Sequence, residues 1–448
     1  MLCPYTPHRP GWREIRTVRV LDTRDTPLNA VAEAIAPARR GADPDAEESV
    51  RRIIAAVRER GDDAVVAYSR ERDWPGADAA RLRVADTEIR AAADAISADD
   101  GMALERAIAR VRAFHEKQRP KDLLEPDGEG ALLGWRYTPV ASVGINAPAG
   151  VAPLPSSLIM AVVPAQVAGV GRIVVITPPA RDGSVNPGIL VAAGLLGVTE
   201  LYRVGGPWAV AALAYGTETI TPVDKIVGPG NMYVNLAKAM VAGVVGIDGF
   251  YGPSEVMVLA DDSADPQLVA IDLAAQAEHW EDSMAVLVTP DRGLVERVEA
   301  ALEELLRKLG RADTVRRCLE RHGAAVLVRD LDQGAELVNL LAPEHVELAV
   351  AEPQAVLPQI RNAGCILLGS DTPTAVSDYL AGPSHILPTG RSARFSSGLG
   401  VMDFLKRSSV VSVSRAWLER NGRFVEGLAK LEGLQAHGES VAMRMRKR

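Results

Sequence analysis

Eight short runs of branched aliphatic residues recur between residues 140 and 368, each followed by an alanine-rich segment, and this alternation limits the fold more than any other feature. The runs are 140–145, 173–177, 201–204, 225–227, 256–260, 285–289, 325–328 and 366–368. Unbroken Val/Ile/Leu runs alternating with helices specify parallel strands covered on both faces. Eight runs exceed what one small sheet usually holds, so the pattern predicts two α/β units of Rossmann-like build. Before them the pattern is helical. Asp43-Pro44 is a cap with proline at the first helical position, and Val50, Ile53, Ile54 and Val57 follow at helical spacing. A second helical run, 99–118, ends before Pro120. After Phe404 no further strand is expected. The tail from Arg415 to Arg448 reads as amphipathic helix with a basic end, solvated charge to which no function is attached.

The 448 residues are 47% hydrophobic and 24% charged, an ordinary globular balance, and the length favours more than one domain. A net charge of −8 argues against nucleic acid or an anionic membrane as partner. Pro164, Gln166 and Arg172 interrupt the longest apolar stretch, 158–177, so it is read as buried helix and strand instead of a bilayer span. Cys3, Cys318 and Cys365 form no paired motif, and no secretory leader is visible, so a reducing, cytoplasmic setting is expected.

Only seven histidines are present, which makes their neighbours informative. Gln276 and His279 lie three apart on a helix opened by Asp265-Pro266 and share a face. Taken alone, such a pair is more often a solvated helix face than a ligand pair. Asp378 and His385 flank a turn, and a structural histidine or a capping carboxylate explains them equally well. His437 alone reads as a surface histidine, and Glu344-His345 as a polar pair on a turn after Pro343. No Cys-x-x-Cys or His-Glu-x-x-His occurs, so spacing leaves a metal undecided.

Several ordered stretches carry a specific resemblance. They are Ala152-Pro-Leu-Pro-Ser-Ser157, Ala211-Ala-Leu-Ala-Tyr-Gly-Thr-Glu218, Val223-Asp-Lys-Ile-Val-Gly-Pro-Gly-Asn231, Gly252-Pro-Ser-Glu-Val256, Gln276-Ala-Glu-His279, Ala342-Pro-Glu-His345 and Gly382-Pro-Ser-His-Ile-Leu-Pro-Thr389. With these the chain resembles the histidinol dehydrogenase family over nearly its whole length. The resemblance implies zinc held by Gln276, His279, Asp378 and His437, a borderline N/O donor set that suits Zn²⁺. Ser254, His385 and Glu432 are implied at the substrate, beside the four metal ligands and His345. His345 is implied as general base and Glu344 as its partner for water. An imidazole has the near-neutral basicity that proton removal from an alcohol requires. The implied reaction oxidises L-histidinol through the aldehyde to L-histidine with two NAD and one water.

No G-x-G-x-x-G follows any strand run, so the usual dinucleotide fingerprint is missing. Dinucleotide contacts are expected from Asn146, Trp208 and Asn231. Asn146 and Ala149 replace a family Tyr and Gly, Trp208 replaces a Gln, and Trp280-Glu281 is also atypical. Alternation and the family plan together imply an N-terminal arm (1–40), a larger α/β domain (41–145 and 254–399), an inserted Rossmann-like domain (146–253) and a helical tail (400–448). The tail offers Trp417, Phe424, Leu428, Leu431 and Leu434 for burial. The family places it on a partner subunit, implying a homodimer with shared sites. Competing readings are a paralogue acting on another small polyol such as a sulfopropanediol, a zinc hydrolase, and a non-catalytic metal-stabilised protein.

Overall fold

Parallel pairing dominates two of three sheets in the computed structural model, which describes residues 13–14, 18–36, 43–149 and 153–446. The larger sheet runs Arg13–Glu14, Arg19–Asp22, Gly323–Leu327, Met284–Thr289, Glu255–Ala260, His345–Ala349 and Cys365–Leu368. Only its first pair is antiparallel. The smaller sheet runs Glu200–Arg203, Arg172–Thr177, Ser142–Asn146, Lys225–Val227 and Gly246–Ile247, all parallel. Each of the eight expected runs forms a strand. The long apolar stretch becomes the helix Pro155–Ala168 followed by the strand Arg172–Thr177. No helix among the described residues is long and apolar enough to cross a membrane.

Among the described residues seven strands lie outside the eight expected runs, and two of them bear most on the site and the tail. His345–Ala349 sits in the sheet interior, buried for four of its five residues, yet its His and Glu disguise it as polar. Leu405–Val413 corrects the expectation that strands end at Phe404. It pairs antiparallel with Ala131–Pro139 over nine positions, and with Leu123–Pro126 forms a three-stranded ribbon. Lys406, Arg407, Ser408 and Ser409 dilute its apolar pattern, so pairing rather than burial makes it a strand.

The helices between residues 44 and 115 pack on the smaller sheet, not on the larger one with which residues 41–145 were grouped from sequence. Val50, Ile54 and Val57 of the helix Pro44–Arg60 form one core with Val210, Leu213 and Val234. Val111 of the helix Ala98–His115 joins a second core with Leu158 and Val162. The strand Ser142–Asn146, which the expected boundary at residue 146 would divide, belongs wholly to the smaller sheet. The expected arm at 1–40 lies largely outside the described residues. Its described part adds the strand Arg19–Asp22 to the edge of the larger sheet.

Candidate active site

A cleft of about 950 Å³ separates the two parallel sheets. One wall comes from the carboxyl ends of the smaller sheet: Asn146 ends its strand, Trp208 follows the turn after Glu200–Arg203, and Asn231 follows Lys225–Val227. Parallel α/β sheets ordinarily bind ligands at this edge. The other wall comes from the amino ends of the larger sheet, with Ser254 just before Glu255–Ala260 and His345 opening its own strand. Gln276, His279, Glu344, Asp378 and His385 complete that wall. Residues dispersed over 240 positions of sequence therefore face one space. Glu432 and His437 do not line it. They are exposed at the junction of the tail helices Arg415–Leu431 and Gln435–Arg446.

His345 is the best-surrounded group. Its Nδ1 lies 3.7 Å from Glu344 and its Nε2 lies 3.5 Å from Asp378, and neither nitrogen has a hydrogen-bond partner. Burial works to depress its basicity, but Asp378 and Glu344 outweigh it and carry the imidazole above its ordinary pKa. Burial lifts the Glu344 carboxyl to about 7 against the pull of His345. Asp378 moves the other way: burial would raise it, yet His345, His385 and His279 hold it below the usual carboxylate range. His385 bridges the walls, its Nε2 2.9 Å from Ser157 Oγ and its Nδ1 2.7 Å from the Asp378 carbonyl.

Sequence reasoning missed a second set of carboxylates behind these. Glu255 and Glu344 cross-brace the two strand starts: each side chain accepts the other's backbone N–H, at 2.9 and 3.2 Å. Burial pushes Glu255 up to about 8. Glu347, on the same strand face as His345, accepts both the N–H and the hydroxyl of Thr374, at 2.8 and 2.7 Å. It is also hydrogen-bonded to Asp272, whose carboxyl burial and Glu347 together raise to about 8. This cluster joins the helix bearing Gln276, the strand bearing His345 and the helix bearing Asp378. Its only sequence signal is a Glu two residues beyond His345, which requires knowing that a strand begins there.

At the opposite wall, Asn146 is buried and donates to the Pro229 carbonyl at 2.5 Å. Asn231 caps the helix Met232–Val241 through Val234 N–H. Trp208 is only 6% exposed. Its indole N–H donates to Ser69 and its ring stacks on Tyr68 at 5.8 Å, so most of it fills the core beneath the cleft.

The implied metal can be tested against the donors. Gln276 is 2% exposed and its Nε2 is unpartnered. Beside it the cleft offers His279 and the Asp378 carboxylate. A buried amide, an imidazole and a carboxylate facing one space fit a borderline divalent cation. Among the described residues no three His, Cys, Asp or Glu gather as a metal group.

Paired parallel sheets around a cleft with a buried histidine–carboxylate centre define an α/β enzyme, with one wall of the kind that receives a dinucleotide. The histidinol dehydrogenase family profile matches residues 37–445. A histidinol dehydrogenase of Cereibacter sphaeroides is 48% identical over 425 residues, 95% of this chain and 98% of the relative. One of Geobacter sulfurreducens is 48% identical over 430 residues, 96% and 100% of the two chains. The crystal structure of histidinol dehydrogenase from Elizabethkingia anophelis superposes with a TM-score of 0.91 at 31% identity, covering 97% of this chain and 99% of that one. The chain belongs to the histidinol dehydrogenase family, and thereby to the NAD-dependent oxidoreductases.

Proposed function

We propose that the protein oxidises L-histidinol through histidinal to L-histidine in histidine biosynthesis, as a zinc-dependent homodimer. The observation that carries this reading is His345, set between Glu344 and Asp378 at the wall of a cleft whose other wall is the carboxyl edge of a second parallel sheet. His345 takes the hydroxyl proton as the reacting carbon gives up its hydride. The two carboxylates beside it stabilise the imidazolium that results. Glu344, poised near neutrality, orients and deprotonates the water that adds to the aldehyde. NAD accepts one hydride at each stage. Ser254, His385 and, from the second chain, Glu432 hold the substrate, the last matching a cationic or hydrogen-donating imidazole. Gln276, His279, Asp378 and the second chain's His437 would hold zinc, and bound there it supplies Lewis acidity to the substrate oxygen. Asn146, Trp208 and Asn231 form the dinucleotide side.

Two features support sharing between chains. Glu432 and His437 stand away from the cleft, and the tail exposes Phe424, Leu428 and Leu431 (84% exposed) along one helix face, with Leu434 exposed just beyond it. The functional test is purified protein with zinc and NAD, monitored for NADH against L-histidinol, histidinal and short diols including a sulfopropanediol. The expected result is two NADH per histidinol and loss of both bound zinc and activity in His279→Ala. Turnover of the diols without histidinol overturns the substrate, and full metal content in His279→Ala overturns the ligand set.

A further inference from the structure

The helix Met232–Val241 presents three polar residues on one face: Asn231 at its cap, then Asn235 and Lys238 one and two turns on. Lys238 is wholly buried and pairs at 2.5 Å with Asp248, itself 1% exposed. Together they grip both backbone groups of Gly228. Lys238 Nζ donates to its carbonyl at 3.0 Å, and Asp248 accepts from its N–H at 2.7 Å. Asp248 also accepts from Gly249 N–H at 2.8 Å and from the Tyr251 hydroxyl at 2.9 Å. Asn235 ties the same two segments again. Its amide donates to the carbonyls of Gly230 (3.1 Å) and Tyr251 (2.5 Å), and its oxygen accepts from Tyr251 N–H at 3.2 Å. Gly228 has φ +108°, and a Cβ there would sit 2.4 Å from the Asn146 carbonyl oxygen, so the gripped loop also presses on the strand behind it.

These bonds join two stretches of cleft wall that do opposite jobs. Gly230 and Asn231 lie on the dinucleotide side, while Tyr251, Gly252 and Ser254 lead into the substrate side. A buried ion pair is a poor way to gain stability, since apolar side chains of similar volume commonly do as well. What apolar side chains lack is the ability to hold three backbone groups and a tyrosine hydroxyl at fixed positions. We propose that Asn235, Lys238 and Asp248 form a positioning clamp that sets the spacing between the dinucleotide-facing loop 228–231 and the substrate-facing segment 251–254. The proposal rests on the oxidoreductase reading above. None of the three touches a reacting atom, so they act through the segments they hold.

The test separates holding from filling. Lys238→Met leaves a buried, unpaired carboxylate and should lower the melting temperature markedly. The double variant Lys238→Met/Asp248→Leu should recover most of that temperature. It should nevertheless show KM for NAD raised at least about tenfold with a smaller change in KM for histidinol, and amide hydrogen exchange should accelerate in 228–231 and 249–254 together. A double variant that regains the wild-type KM and exchange along with its melting temperature overturns the clamp. Should the double variant fail to fold, Asn235→Ala removes three clamp bonds without touching the ion pair. It should accelerate exchange in both segments, and acceleration confined to one overturns the proposal. Exchange is measured without substrate, so failure of the unaltered protein to oxidise histidinol counts against the functional reading alone.

Discussion

His345 lies between two carboxylates, and the roles given to it and to Glu344 can be separated by substitution. His345→Asn keeps the shape but removes the base, and alcohol oxidation should fall about 10²–10⁴-fold. Glu344→Gln should mainly slow conversion of supplied histidinal. Assaying the two stages separately checks this, and equal small effects on both would contradict the division. A second titrating group lines the cleft on the side of the smaller sheet. Burial lifts Asp73 from its ordinary 3.8 to about 6, against a bond from Gly205 N–H that works to lower it. The folded protein therefore holds this proton more tightly than the unfolded chain does. The contribution to stability is complete below about pH 4 and is lost as pH rises through about 6. Denaturation midpoints of the wild type should accordingly fall relative to Asp73→Asn between those values, and a constant difference would rule this out. Tyr68, Asp73 and Arg311 line the cleft with no motif around them, whereas Ser254, Gln276, His279, Glu344, His345 and His385 were legible as candidates because family motifs surround them. Glu255, Glu347 and Asp272 were not. A carboxylate in a sequence reads as surface unless the fold shows it covered, and these three are covered because a strand start, a strand interior and a helix face meet behind the cleft.

At the scale of elements, two of the missed strands share a cause: pattern reading detects burial of apolar side chains, whereas a strand is defined by its pairing. His345–Ala349 carries its functional groups into the sheet interior, and Leu405–Val413 pairs along a half-exposed ribbon. The approach to the first of these is constrained. The helix Leu331–Leu341 ends in Ala342, which adopts a left-handed conformation (φ 46°) although it has a Cβ, and is fully buried. That turn delivers Pro343-Glu344 onto the strand. A β-branched residue is excluded from such a conformation and would overfill the site. Ala342→Val should destabilise by roughly 1–3 kcal/mol, seen as a lower denaturant midpoint, and should misplace Glu344. An unchanged midpoint would mean that the turn relaxes freely. The placement of the helices between 44 and 115 was illegible for another reason. Their amphipathic faces announce burial but do not say against which sheet.

For the molecule as a whole, the proposed shared site predicts complementation. Mixing a Glu344→Gln/His345→Asn chain with a His437→Ala chain should place one intact body against one intact tail in every mixed dimer. Up to about half of wild-type activity should then return to those dimers, by symmetry. No recovery in demonstrated mixed dimers would put the whole site within one chain. The ribbon that launches the tail has a consequence in time as well as in space. Ala131–Pro139 emerges early in synthesis, but its partner Leu405–Val413 is among the last segments made, and their nine-position register spans most of the chain. Contacts so distant in sequence close late and slowly. Both sheets can be complete on the ribosome while that strand edge still waits, its backbone groups facing Leu405–Val413 unpaired. Premature termination between the last sheet strand, Cys365–Leu368, and residue 405 would therefore release a chain with both parallel sheets complete but with a ribbon edge open to pairing with the wrong strand.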